Sequence, residues 1–157
     1  MDLILWRHAE AEDQREGGSD LERALTGRGR RQAAQMAAWL EPRLPRGTRI
    51  LSSPAVRCEQ TVLALGHPYE VLQQLQPGAR PQDLLQAAGW PSAERAVLIA
   101  GHQPVLGQTI AQLLGMEAGE CTVRKAGVWW LRSRERAGDE GLVVRAVQTP
   151  DLLDEKS

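Results

Sequence analysis

The run AVLIAGH at residues 96–102 constrains this chain more than any other stretch. An apolar segment without polar alternation suits a strand covered on both faces, as in parallel sheets. DLILW at 2–6 and RILS at 49–52 carry the same signal. Parallel strands need long crossovers, and the stretches between these runs read as helices. Thr26 is placed to cap one in which Ala33, Met36, Ala37, Leu40 and Leu44 recur at helical spacing until Pro45. Ser53 and Pro54 suit the cap and first position of a second helix, which ends near Gly66.

Residues 69–75 alternate as a strand, 81–88 read as a short helix, and Pro104 opens a helix closed by Gly115. The last third changes character: 126–134 and 141–148 are two strands joined by ERAGDE, a connector short enough for an antiparallel hairpin. The polar stretch 150–157 is expected to be a flexible tail. Together these elements predict an α/β chain: a three-layer α/β/α sandwich with a mostly parallel central sheet and antiparallel C-terminal strands at or near one edge. At 157 residues, the whole of 1–157 is expected to form a single domain.

Nineteen basic and twenty acidic residues leave a net charge of -1. No overall field favours nucleic acid or an anionic membrane, although a local basic site is compatible with this balance. Cys58 and Cys121 form no Cys-x-x-Cys pair and no zinc spacing, and read as reduced packing residues of a cytoplasmic protein. Arg7 and His8 interrupt the first apolar run too early for a signal peptide, and no stretch approaches the length of a membrane span.

In open α/β sheets ligands bind outside the carboxyl ends of the strands. Three such places carry chemistry here: Arg7 and His8 after the first strand, Ser53 and Pro54 leading to Arg57 after the second, and Gly101 and His102 after the run at 96–100. His67, in GHPY, falls at a turn and reads as structural or solvent-facing. Guanidinium forks match phosphate oxygens, and helix N-termini add backbone N–H groups to the same anion. The set reads as a phosphate pocket. A neutral His8 imidazole can attack phosphorus when its other ring nitrogen is held by a hydrogen bond, with His102 facing it and donating to a non-bridging oxygen. Glu10 and Glu12 are open to two readings, a substitute acid or solvated loop residues, with Glu10 tethering an arginine. Glu59 supports Arg57 or faces solvent.

Four segments, RHAEA at 7–11, RALTGRGRRQ at 23–32, SSPAVRCEQT at 52–61 and AGHQPVLG at 100–107, together resemble the histidine phosphatase superfamily, with its phosphoglycerate-mutase-like fold. The small size, the Leu25-Thr26-x-x-Gly29 segment and the Gly-His-x-Pro segment are most similar to its SixA-type phosphohistidine phosphatases. The resemblance implies that His8 accepts the phosphoryl group, that Arg7, Arg57 and His102 grip it, and that Arg23 approaches the pocket. It also implies that Ser53 and Pro54 shape the phosphate-binding second loop, while Gln60 and Thr61 support packing.

The inserted acidic lid of the larger superfamily has no counterpart, because the region between the second strand and residue 96 is short. An alkoxide leaving group benefits from a general acid by about 10²–10⁴-fold, whereas imidazole leaves more readily. The expected activity is therefore hydrolysis of phosphohistidine on a protein, without metal or cofactor. The alternatives are a phosphomonoesterase acting on a small phosphorylated metabolite and a non-catalytic phosphate- or phosphohistidine-binding module. A zinc site is a poor reading without His-Glu-x-x-His or a cysteine cluster. VWWLR at 128–132 could mark a dimer face, although paired tryptophans on a strand are more often core on one side and partly covered on the other. The sequence leaves the oligomeric state open.

Overall fold

In the computed structural model, which describes residues 1–136 and 139–154, strand β1 (Asp2–Arg7) lies near the middle of a six-stranded sheet. The other strands are β2 (Arg49–Ser52), β3 (Glu70–Val71), β4 (Val97–Gly101), β5 (Val128–Arg136) and β6 (Asp139–Gln148), in the spatial order β3-β2-β4-β1-β5-β6. The first four are parallel to one another. β5 runs antiparallel to β1, and β6 antiparallel to β5. Helices α1 (Gly27–Leu40) and α2 (Val56–Leu63) pack on one face, and α3 (Pro81–Ala88) and α4 (Val105–Leu114) on the other. The expected three-layer sandwich is the architecture found.

Side chains of a strand alternate between faces, and here both faces are covered. Ile4, Trp6, Ile50, Leu98 and Ala100 join the α1 and α2 side of the core, while Leu3, Leu5, Leu51, Val97 and Ile99 join the α3 and α4 side. That double burial is why the strand sequences lack polar alternation. Trp130 and Trp129 also part company: Trp130 is in the first cluster, and Trp129 packs half-buried against the second.

Several boundaries differ from expectation for local reasons. Thr26 caps α1 as its sequence suggests, its Oγ1 accepting from Gly29 N at 2.9 Å, but the helix stops at Leu40. Helix α2 opens at Val56 behind an Ala55 cap, so Ser53 does not cap it. Of residues 69–75 only Glu70–Val71 pair as a strand; Gln73–Leu75 coil into a 3-10 turn that buries Leu75 beside the α3 side of the core. The flexible tail is corrected over its first half. Pro150–Leu153 form a 3-10 turn with Pro150 buried and Leu153 against the α1 side, two apolar anchors in a polar segment. Residues 155–157, and residues 137–138 of the expected hairpin connector, lie outside the described residues. No helix among the described residues is long and apolar enough to cross a membrane.

Strand register sets the functional rim. Parallel pairing places Arg7 opposite Gly101, so His8 and His102 leave adjacent strand tips together. On the far side of β4, Ser52 pairs with Ala100 and delivers Ser53 to the same edge. Backbone bonds fix these exits: His8 N donates to Gly101 O at 3.1 Å, Ser53 N to Ala100 O at 3.1 Å, and Ala126 N to His8 O at 3.1 Å. The start of α1 closes on the loop after β1 so tightly that a methyl group at Gly29 would collide with the Glu10 carbonyl.

Candidate active site

His8 and His102 face each other across the rim, with ring centroids 5.4 Å apart and planes tilted by 57°. Together with Arg7, Arg23 and Arg57 they line one cleft of about 290 Å³. All five basic residues singled out in the sequence thus meet in one place. Asp13, Gln103 and Lys125 share the lining.

His8 is 8% exposed and its Nδ1 lies 2.8 Å from the Ala9 carbonyl. A carbonyl only accepts, so Nδ1 carries the proton and Nε2 keeps its lone pair. Burial, joined by the charges of Arg57, Arg7 and Arg23, lowers the imidazole pKa to about 4 against the opposing Ala9 bond. The ring is therefore neutral near pH 7. Thr61 Oγ1 accepts from Ala9 N at 3.1 Å and donates to Arg57 O at 2.7 Å, tying this loop to α2. Gln60 Oε1 accepts from Leu25 N at 2.7 Å. These are the packing roles expected for Gln60 and Thr61.

His102 is held the opposite way round. Its Nδ1 is 3.3 Å from Arg57 Nη2, which only donates, so Nδ1 accepts and Nε2–H donates to Ser53 Oγ at 2.7 Å. Burial first, then the Arg57 charge, lowers its pKa to about 3. Ser53 is fully buried behind His102 and also accepts from Ala55 N at 3.2 Å. It is absent from the cleft lining, so its place is as a support of His102 and not as a ligand contact. Buried Cys58 lies 3.5 Å from His102 Nε2, and desolvation pushes its thiol up to about 12.

The two guanidiniums are anchored incompletely. Arg7 Nη1 donates to Val123 O at 2.8 Å. Arg57, 3% exposed, donates from Nη1 to Asp20 O at 2.8 Å and from Nη2 to Asp20 Oδ2 at 3.1 Å. Yet Arg7 Nε and Arg57 Nε are both buried without a hydrogen-bond partner. A buried unpaired donor is costly, and an anion oxygen would satisfy it. Arg23 reaches the cleft through Asp20 as well, its Nε donating to Asp20 Oδ1 at 2.9 Å while Nη1 holds Glu12 O at 2.9 Å.

Glu10 is not part of the cleft lining: its carboxylate takes Thr26 Oγ1 at 3.2 Å and sits 4.0 Å from Arg28 Nε, a tether of the kind weighed for it. Glu12 and Glu59 are also absent from that lining. Of the two readings open for Glu59, support of Arg57 is not the one found: Glu59 accepts from the Tyr69 hydroxyl at 2.9 Å, and Asp20 holds Arg57. His67 pairs with Glu41 at 2.8 Å on the exposed surface. Asp20 carries no sequence signal of its role, because it lies in a 3-10 turn, Asp20–Glu22, within a polar loop without periodicity. Among the described residues no three His, Cys, Asp or Glu side chains converge as metal ligands would.

The sequence profile of the Histidine phosphatase superfamily (branch 1) matches residues 3–90, more than half of the chain. The chain belongs to that superfamily. A "Phosphohistidine phosphatase SixA homolog" of Haemophilus influenzae is 30% identical over 130 residues, covering 73% of this chain and 78% of that protein. An uncharacterised protein of Picosynechococcus sp. is 33% identical over 141 residues, covering 85% and 86% of the two chains. Among solved structures, the protein histidine phosphatase SixA complexed with tungstate superposes with a TM-score of 0.77 at 25% identity, over 98% of this chain and 100% of the other. This member of the superfamily is a phosphatase of the SixA type.

Proposed function

We propose that this phosphatase removes phosphoryl groups from phosphohistidine on a partner protein, through a covalent intermediate on His8. One observation carries the reading. A neutral imidazole with its Nδ1 proton tied down shares a cleft with the buried Arg57 and the half-buried Arg7, each holding a buried Nε–H without a hydrogen-bond partner. The Nε2 lone pair attacks phosphorus; the new N–P bond forms as the bond to the substrate imidazole breaks, and that leaving nitrogen takes a proton from solvent. Water then attacks from the opposite side, the His8 N–P bond breaks, and phosphate departs with His8 neutral again. Positioning and charge neutralisation supply most of the acceleration in such transfers.

Arg7 and Arg57 hold the non-bridging oxygens, with Arg23 at the edge. The negative charge of a bound phosphoryl group favours the protonated form of His102, whose Nδ1 then exchanges the bond it accepts from Arg57 Nη2 for donation to a phosphoryl oxygen. Asp20 positions Arg57 from behind. Tungstate, a tetrahedral oxyanion, bound to a SixA relative supports an anion site of this shape. The segment between β2 and β4 builds only α2, β3, a 3-10 turn and α3, and its contribution to the cleft beyond Arg57 is Pro77. Among the described residues the carboxylate that lines the cleft is Asp13, from the loop after β1 and not from an inserted lid, and so open a cleft suits a phosphorylated side chain with a good leaving group.

The test is a substrate panel. A phosphorylated histidine-containing transfer protein and free phosphohistidine should be hydrolysed far faster than sugar phosphates or p-nitrophenyl phosphate. Faster turnover of the esters would make this a small-metabolite phosphatase, and binding of phosphohistidine without phosphate release would make it a recognition module.

A further inference from the structure

Beside the catalytic cleft lies a second, larger groove of about 660 Å³. It shares Arg7 and Lys125 with the cleft, so the two adjoin. One wall is a face of α1: Arg28, Arg31, Gln32 and Gln35 follow the i, i+3, i+4, i+7 spacing that aligns side chains along a helix. Arg124 and Lys125, from the loop before β5, also line it. Asp151 and Asp154 line it too, so five lining cations stand against two lining carboxylates, with Glu10 a further 4.0 Å from Arg28 Nε, and Gln35 donates to Asp154 Oδ1 at 3.2 Å. The excess is cationic in a protein whose net charge is only -1.

The form of this site selects its ligand. A second phosphate on a small molecule calls for a few convergent, enclosed donors. Here Arg28, Arg31, Arg124 and Lys125 are all exposed, and the α1 stripe from 28 to 35 runs about 10 Å. Spread, exposed cations act by complementarity to an extended surface, raising encounter rates and fixing orientation. We propose that this groove docks an acidic polypeptide segment flanking the phosphohistidine of the substrate protein. The proposal rests on the function assigned above and adds the charge of the partner's surface. Docking begins on α1 and the loop at 124–125 and ends where Arg7 passes the phosphoryl side chain to His8.

Two synthetic phosphohistidine peptides of equal length test it, one flanked on both sides by Asp and Glu, the other by Asn and Gln, with free phosphohistidine as the reference substrate. At low salt the wild type should favour the acidic peptide by roughly tenfold in kcat/KM, an advantage that shrinks as salt is added. Arg31→Glu with Arg124→Glu should abolish that preference and leave turnover of free phosphohistidine unchanged. The milder Arg31→Gln with Arg124→Gln should reduce the preference in the same direction. Equal use of both peptides by the wild type, or a preference that survives both double variants, overturns the docking assignment while the phosphohistidine reading stands. Failure of the wild type on every phosphohistidine substrate removes that reading and the docking assignment with it.

Discussion

Two arginine–aspartate contacts stand at opposite ends of the sheet, and their difference separates a structural pair from a working one. At the amino end of β1, Arg132 meets Asp2 through two bonds, Nε to Oδ1 at 2.6 Å and Nη2 to Oδ2 at 3.0 Å, with Arg145 a further 3.6 Å contact. That carboxylate is matched on both oxygens. At the carboxyl end, the Asp20 carboxylate is divided between Arg23 and Arg57, and Arg57 keeps a buried Nε–H with nothing to bind. The first arrangement is complete as folded; the second leaves a guanidinium donor unpaired at the edge of the cleft, where the proposed reaction would bring a phosphoryl group.

Substitutions sharpen that contrast. Arg57→Ala should lower kcat/KM on phosphohistidine by about 10²–10³-fold, the usual effect of removing one donor aimed at developing charge. A melting curve unchanged by the same substitution would assign the loss to the site and not to the fold. Acid gives the next largest effect. Because His8 attacks as the neutral imidazole and titrates at about 4, initial rates should fall about tenfold for each pH unit below that value and level off above it. A fall centred near the ordinary histidine value of about 6.5 would show that the ring is not buried as described.

Stability follows the same histidines with a defined sign. His8 and His102 have folded pKa values of about 4 and about 3, below the unfolded value, so the unfolded chain binds protons first. Their contribution is intact above about pH 6.5 and is lost as pH falls toward 4 and below. Asp20→Asn comes next in its effect on activity. It keeps the backbone bond to Arg57 Nη1 but weakens the side-chain hold, and kcat/KM should fall several-fold, up to about tenfold for the loss of one charge-assisted bond. At the other end of the sheet Arg132→Ala should leave activity untouched and cost about 1–3 kcal/mol by urea unfolding: the Arg132 side chain is 43% exposed, but the Asp2 carboxylate it leaves is only 6% exposed and keeps just the 3.6 Å contact of Arg145.

The sequence exposes the strand tips because double-sided burial leaves an unambiguous apolar run. Arg7, His8 and His102 interrupt or follow such runs, so both the sheet and its functional edge can be read from 2–8 and 96–102. Arg57 is legible through the strand and Pro54 before it. Ser53 is misread as a helix cap because a serine before proline carries that signal, while the bond to His102 spans 49 residues and leaves no local trace. Asp20 is hidden for the same reason, meeting Arg57 across 37 residues from a loop without periodicity. In the basic groove, the α1 stripe reads as solvated until the loop at 122–125 and the turn at 150–153 are known to border it.

Phosphoryl transfer through His8 Nε2 can be tested most directly by rapid mixing with a labelled phosphohistidine substrate, quenching at alkaline pH to protect the N–P bond, and locating the label by peptide mass spectrometry. The expected result is label on His8 that appears and decays within a turnover and is absent from His8→Ala. Label on His102 instead, or undiminished turnover by His8→Ala, would contradict it.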